Sequence, residues 1–118
     1  MVPSTQTAPA AQSVPNRRAS YRAPLAGTVT VIVNGRVHDA IAGNVSPQGL
    51  RASTNRPLKI GDEVSVAFFV NGALVCARGW VRWCQLTQPG RLAFGVRFGS
   101  IEDDGEALLA GYCRSFLS

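Results

Sequence analysis

The chain has 118 residues, enough for one domain and too few for two ordinary ones, which excludes most multidomain enzymes. Hydrophobic residues make up 46%, ample for a buried core and incompatible with a wholly disordered chain. Twelve Lys and Arg against seven Asp and Glu leave a formal charge of +5, and eleven of the twelve cations are Arg, a balance that favours an anionic partner, although an Arg-rich codon bias produces the same ratio.

Residues 1–16 carry no charged side chain and no apolar periodicity, and hold three prolines among Ser, Thr, Gln and Ala; this composition predicts a disordered N-terminal tail. From Arg17 to Ile101 eleven basic residues face three acidic ones, whereas Glu102 to Ser118 holds four acids and Arg114. Thr28–Val33 alternates Val29, Val31 and Val33 with Thr28 and Thr30, then meets Asn34-Gly35, a strong hairpin signal. Arg36–Val45 is predicted as the returning strand, Ser46-Pro47-Gln48-Gly49 as a turn, and Leu50–Thr54 as a further strand. Glu63–Val70 places Val64, Val66, Phe68 and Val70 on one face, and a second Asn-Gly pair, Asn71-Gly72, leads into Ala73–Leu86. Pro89-Gly90 turns into Arg91–Phe98, where Phe94, Val96 and Phe98 share a face. Short strands joined by tight turns predict a mainly β fold, a small antiparallel barrel over 27–98. Ser100 with Asp103 fits a capping box, and Leu108, Leu109, Tyr112 and Phe116 keep helical spacing, which predicts a closing helix over 101–117.

Nothing in this pattern points to catalysis. The body offers only Asp39, Asp62 and Glu63 as acids, and the last two follow a turn glycine, where solvated charges are usual. His38 and Asp39 are adjacent on a strand and face opposite sides, so His38 reads as an ordinary strand histidine. Cys76, Cys84 and Cys113 form no C-x-x-C pair, and with one histidine they assemble no zinc site; they read as buried thiols of a reducing compartment. No cationic, apolar leader opens the chain and no apolar run reaches membrane-spanning length, so the expectation is a soluble, cytoplasmic protein without membrane insertion, metal or cofactor.

Two clusters flank the first hairpin. Arg17-Arg18 lies four residues before Arg22, and Asn44-Val45-Ser46-Pro47-Gln48-Gly49 follows after residues 23–43, so the chain reads R-x-x-x-R, a spacer, then N-x-S-x-x-G. The order and spacing resemble the PilZ domain, whose ligand is the bacterial second messenger cyclic di-GMP. Gly79-Trp80-Val81-Arg82-Trp83 and Phe94-Gly95-Val96-Arg97-Phe98 are also similar to PilZ strands, and the likeness covers 17–118. It implies a six-stranded antiparallel barrel with a C-terminal helix and a ligand-binding arm at 17–22. Arg18, Arg22, Asn44, Ser46 and Gly49 then take the ligand. Arg17, immediately before the motif, goes with a stacked pair of ligand molecules. Trp83 stands where the family places an aromatic near guanine, and Gly95 is positioned to let a base lie against its strand.

The chemistry of these residues agrees. Arg18 and Arg22 supply planar forks for phosphate oxygens and the guanine edge; Asn44 and Ser46 supply short polar groups on a rigid turn; Gly49 permits a positive φ and removes a Cβ from the ligand's path. Trp83 shares strand parity with Val81, a core position, and Trp80 falls on the opposite face with Arg78 and Arg82, leaving open which of the two meets a ligand. The implied protein is a free-standing receptor and adaptor that orders its arm on binding ligand and acts on an unidentified downstream protein. Two other readings are a single-strand nucleic-acid-binding barrel and a PilZ-fold adaptor that needs no ligand. The first is disfavoured because most aromatics fall on core-facing positions, and the second because the motifs are intact.

Overall fold

The computed structural model describes residues 22–116. The predicted tail at 1–16, and Arg17 and Arg18, lie outside the described residues. Among these residues seven strands follow in order: β1 (Ala23–Pro24), β2 (Thr28–Val33), β3 (Arg36–Ser46), β4 (Gly49–Thr54), β5 (Glu63–Val70), β6 (Ala73–Gln88) and β7 (Arg91–Ile101), then the helix α1 (Gly105–Arg114). All pairings are antiparallel. Six strands close in the order β3-β2-β5-β6-β7-β4, with β4 returning to β3, and the two-residue β1 lies outside this ring on β3. Closure leaves the barrel without a free edge.

The local reasons are those of alternation and turn chemistry. Val29, Val31 and Val33 of β2, and Val64, Val66, Phe68 and Val70 of β5, all point inward and are buried, as period-two patterning requires. Both Asn-Gly pairs have positive φ at both residues, 52° and 75° at Asn34-Gly35 and 50° and 81° at Asn71-Gly72, the twist that lets a two-residue loop match right-handed strands. Phe68 and Phe98 stack across the interior with ring centroids 6.3 Å apart.

The C-terminal helix is shorter than predicted and the capping box is not formed. Ser100 remains in β7, paired with Arg78, and Ile101 pairs with Ala77. The ladder continues past the strand, with the Glu102 N–H donating to the Cys76 carbonyl at 2.9 Å. Strand pairing thus uses the backbone that the cap needed, and the chain turns at Asp103, φ 52°, before α1 begins. The N-cap residue is Asp104, which makes no side-chain cap hydrogen bond. Leu109 and Cys113 anchor α1 in the core, the Cys113 thiol donates to the Val45 carbonyl at 3.4 Å, and the Tyr112 hydroxyl donates to the Pro24 carbonyl. The helix is thereby tied to β1 and β3, beside the predicted ligand motif.

The distribution of aromatics differs from expectation. Phe68 and Phe94 are core residues, but Phe69, Trp80 and Phe116 are exposed. Among the described residues, no helix is long and apolar enough to cross a membrane.

Candidate functional site

Two β-bulges decide which side chains reach the outer surface. Along β3, Ala40 and Ala42 face inward, and strict alternation sends Asn44 inward as well. Ala42 pairs with Ala52 while Asn44 pairs with Arg51, so Gly43 is an extra residue that turns Asn44 outward and Val45 into the core. The same happens on β6. Val81 pairs with Val96 and Trp83 with Gly95, so Arg82 is the extra residue and Trp83 leaves the core parity it shares with Val81. A one-residue slip exchanges the faces of all that follows. The outcome is one row across four strands, Asn44 opposite Arg51, Arg51 opposite Gly95, and Gly95 opposite Trp83.

Side chains along this row interlock. A Cβ built on Gly95 runs into the Trp83 indole, so the absence of a side chain there seats the tryptophan. What lies on Gly95 is therefore Trp83, a correction to the expectation that a ligand base does so directly. The Arg51 guanidinium sits 5.8 Å from the Trp83 ring centroid, within cation–π range. Asn44, in the strand rather than on the turn, accepts a hydrogen bond from Arg22 Nη1 at 2.8 Å, which aims the last arginine of the R-x-x-x-R motif at the barrel. Both tryptophans are on the outer surface: Trp83 is half-buried in the row, and Trp80 covers Gly99.

Ser46 and Gly49 pair with each other across the Pro47-Gln48 turn. Ser46 is buried and its Oγ accepts the Gln48 N–H at 3.2 Å, while the Gln48 carbonyl takes the Phe98 N–H at 2.8 Å. The turn is therefore bound to both β3 and β7. Gly49 does not have a positive φ, contrary to expectation. Its requirement is spatial, since a Cβ there runs into the Val96 carbonyl oxygen. Backbone cannot swing aside as a side chain can, so Gly49→Ala is expected to cost about 1–3 kcal/mol of stability. Urea unfolding checks this, and an unshifted midpoint would show that the β4–β7 ladder gives way freely.

Together these parts enclose a surface cavity of about 440 Å³. Arg22, the Ser46–Gly49 turn, Trp83, Gly95 and Val96 line it together with Arg82 and Arg97. Three arginines line it with no carboxylate among the described lining residues, and Arg51 stands next to it. Burial, and then the like charge of Arg51, lower the Arg22 guanidinium from the ordinary arginine value, against an opposing contribution from Cys113. The cavity is a cationic surface with one indole in its lining, suited to a ligand with anionic groups and planar rings. The sequence alone does not mark Arg51, Arg82, Arg97 or Gln48 as site residues. Arg97 pairs directly with Gly49, a link that becomes visible once β4 and β7 are set side by side.

A scan against protein-family models matches residues 16–115 to the PilZ domain. The chain belongs to the PilZ family. Among solved structures, the inhibitor of motility MotI/DgrA of Bacillus subtilis superposes with a TM-score of 0.71 at 13% sequence identity, covering 85% of this chain and 51% of that one. The Borreliella burgdorferi PlzA protein, solved in complex with c-di-GMP, superposes with a TM-score of 0.62 at 14% identity, covering 82% of this chain and 41% of PlzA. At these identities the likeness is one of fold, and this PilZ chain spans about half the length of the first protein and less of the second. No curated protein matches the sequence.

Proposed function

We propose that this PilZ chain is a cyclic di-GMP receptor that acts on a downstream protein through surface contacts rather than by catalysis. The observation that carries the reading is the convergence of Arg22, the Ser46–Gly49 turn, Trp83 and Arg97 around one cavity. A cyclic dinucleotide presents two phosphates and two purine faces, and this cavity offers guanidinium forks beside an indole plane. Arg18 is four positions before Arg22, so its Cα is within roughly 14 Å of that of Arg22 even in a fully extended chain. The structure of PlzA in complex with c-di-GMP supports the ligand class.

Titration calorimetry with cyclic di-GMP tests the reading, with a single-stranded oligonucleotide at two salt concentrations as the control. Saturable binding of the cyclic dinucleotide supports it; steeply salt-dependent oligonucleotide binding with no response to cyclic di-GMP overturns it in favour of a nucleic-acid-binding barrel. Arg17 sets the stoichiometry in this proposal, because a stacked ligand pair carries twice the phosphate charge of one molecule. About two ligands per chain are expected, falling to about one in Arg17→Ala, and an unchanged ratio removes that role. Ligand also closes residues 17–22 over the cavity, which changes the surface presented to a partner. Amide exchange at Arg17–Arg22 should slow on ligand addition; equal rates in both states refute the closure.

A further inference from the structure

A second basic cavity, of about 450 Å³, opens at the other end of β3, between the β2–β3 hairpin and the segment 55–62 that joins β4 to β5. Roughly 30 Å of strand, at about 3.3 Å per residue, separates Arg36 here from Ser46 at the PilZ site. Arg36, Arg56 and Lys59 line it against one carboxylate, Asp62. That carboxylate is already engaged, since its Oδ2 accepts the Lys59 backbone N–H at 2.9 Å.

The inner wall is His38. It shares strand parity with the buried Ala40 and pairs with Val31, a core residue, so it faces the barrel mouth. Both ring nitrogens are shielded from solvent, and neither has a hydrogen-bond partner among the described residues. Buried polar atoms are normally paired, which makes an imidazole with two unpaired nitrogens costly to maintain.

The cations stand on an anchored frame. The Thr54 hydroxyl donates to the Asp39 carbonyl at 3.3 Å and accepts the Arg56 N–H at 3.2 Å. The Cys84 thiol donates to the Leu58 carbonyl at 3.6 Å, and the Gly61 N–H donates to the Val81 carbonyl at 2.7 Å. Burial, and then the charge of Arg56, lower the His38 pKa, with Asp39 on the outer face opposing them. Arg36, Lys59 and Asp62 are the other charged groups around the cavity. A neutral ring offers one donor and one acceptor.

We propose that this cavity is a second anion site, which takes a multiply charged oxyanion, phosphate or carboxylate, borne by a small molecule. Arg36, Arg56 and Lys59 supply the countercharge, and His38 forms the inner wall. The volume lies within the range of small-molecule sites. Three cations facing a single engaged carboxylate favour more than one negative charge on the ligand. An anion bound here also screens His38 from Arg56, so binding strengthens as pH falls through the His38 pKa.

His38 is the only histidine in the chain, so its ring nitrogen resonances report this cavity alone. The test is an NMR titration of full-length protein with pyrophosphate and, separately, with citrate, each against sodium chloride of equal ionic strength. At least one of the two is expected to shift the His38 ring signals saturably and to raise the His38 pKa by about one pH unit; which one does so distinguishes phosphate from carboxylate. Arg56→Ala/Lys59→Ala should abolish the response, Arg36→Ala on the separate hairpin should weaken it, and Arg22→Ala should leave it intact. No saturable shift beyond the chloride control overturns the proposal. So does a response that survives in both rim variants, or one that disappears in Arg22→Ala, which assigns the anion to the PilZ site.

Discussion

Arg22→Ala is expected to bind cyclic di-GMP at least tenfold more weakly than the wild-type chain by titration calorimetry. A charge-assisted hydrogen bond is worth about 1.5–3 kcal/mol, and about 1.4 kcal/mol corresponds to a factor of ten. Arg22 is the case where the full value applies, because its guanidinium is already oriented by Asn44 Oδ1 at 2.8 Å and little side-chain freedom remains to be lost. Burial, and then the nearby Arg51 charge, disfavour its protonated form. A phosphate between the two arginines replaces that repulsion with two attractions. Asn44→Ala keeps the guanidinium but releases its aim, and a smaller loss is expected there, about 1 kcal/mol. Wild-type affinity in Arg22→Ala, with an unchanged thermal midpoint, would show that the ligand does not use this cavity.

The largest effect on stability is expected at Phe94. Its side chain is fully buried, with Ala52 and Cys84 opposite it on the flanking strands. Removing a buried aromatic ring loses its transfer free energy and leaves a cavity the barrel cannot close, because the surrounding strands are hydrogen-bonded on both sides. Phe94→Ala should therefore cost about 3–5 kcal/mol in urea unfolding, a large share of the 5–15 kcal/mol typical of a domain. Phe69, 62% exposed, is the internal comparison; Phe69→Ala should stay within about 0.5 kcal/mol. Similar losses at both positions would contradict the assignment of inner and outer faces. Phe94 also precedes Gly95, so its loss should loosen the Trp83 seat and appear as a change in tryptophan fluorescence before global unfolding.

The elements of the barrel are legible in the chain itself. Alternation from Val29 to Val33 and from Val64 to Val70 identifies strands and their inner faces, because a half-buried strand must repeat every two residues. The two Asn-Gly pairs identify hairpins, because few other residues accept positive φ at both turn positions. Arg22, Asn44, Ser46 and Gly49 can be chosen from their spacing. The short β1 could not be read in advance, since two residues carry no periodicity and are extended only because β3 offers Val45 and Asn44 as partners.

What the amino-acid sequence by itself determined was the set of strands, their turns, the PilZ resemblance and the motif residues. The tertiary structure alone decided that Asn44 and Trp83 face outward, that Arg51, Arg82 and Arg97 join Arg22 at one surface, and that α1 starts at Gly105 instead of near Ser100. The reason is common to all three. A strand's own residues define its period, but the bulges at Gly43 and Arg82 and the extension of β7 past Ser100 arise from register with a neighbouring strand. One inserted residue inverts the face of every side chain after it, and only the partner strand records where that insertion falls.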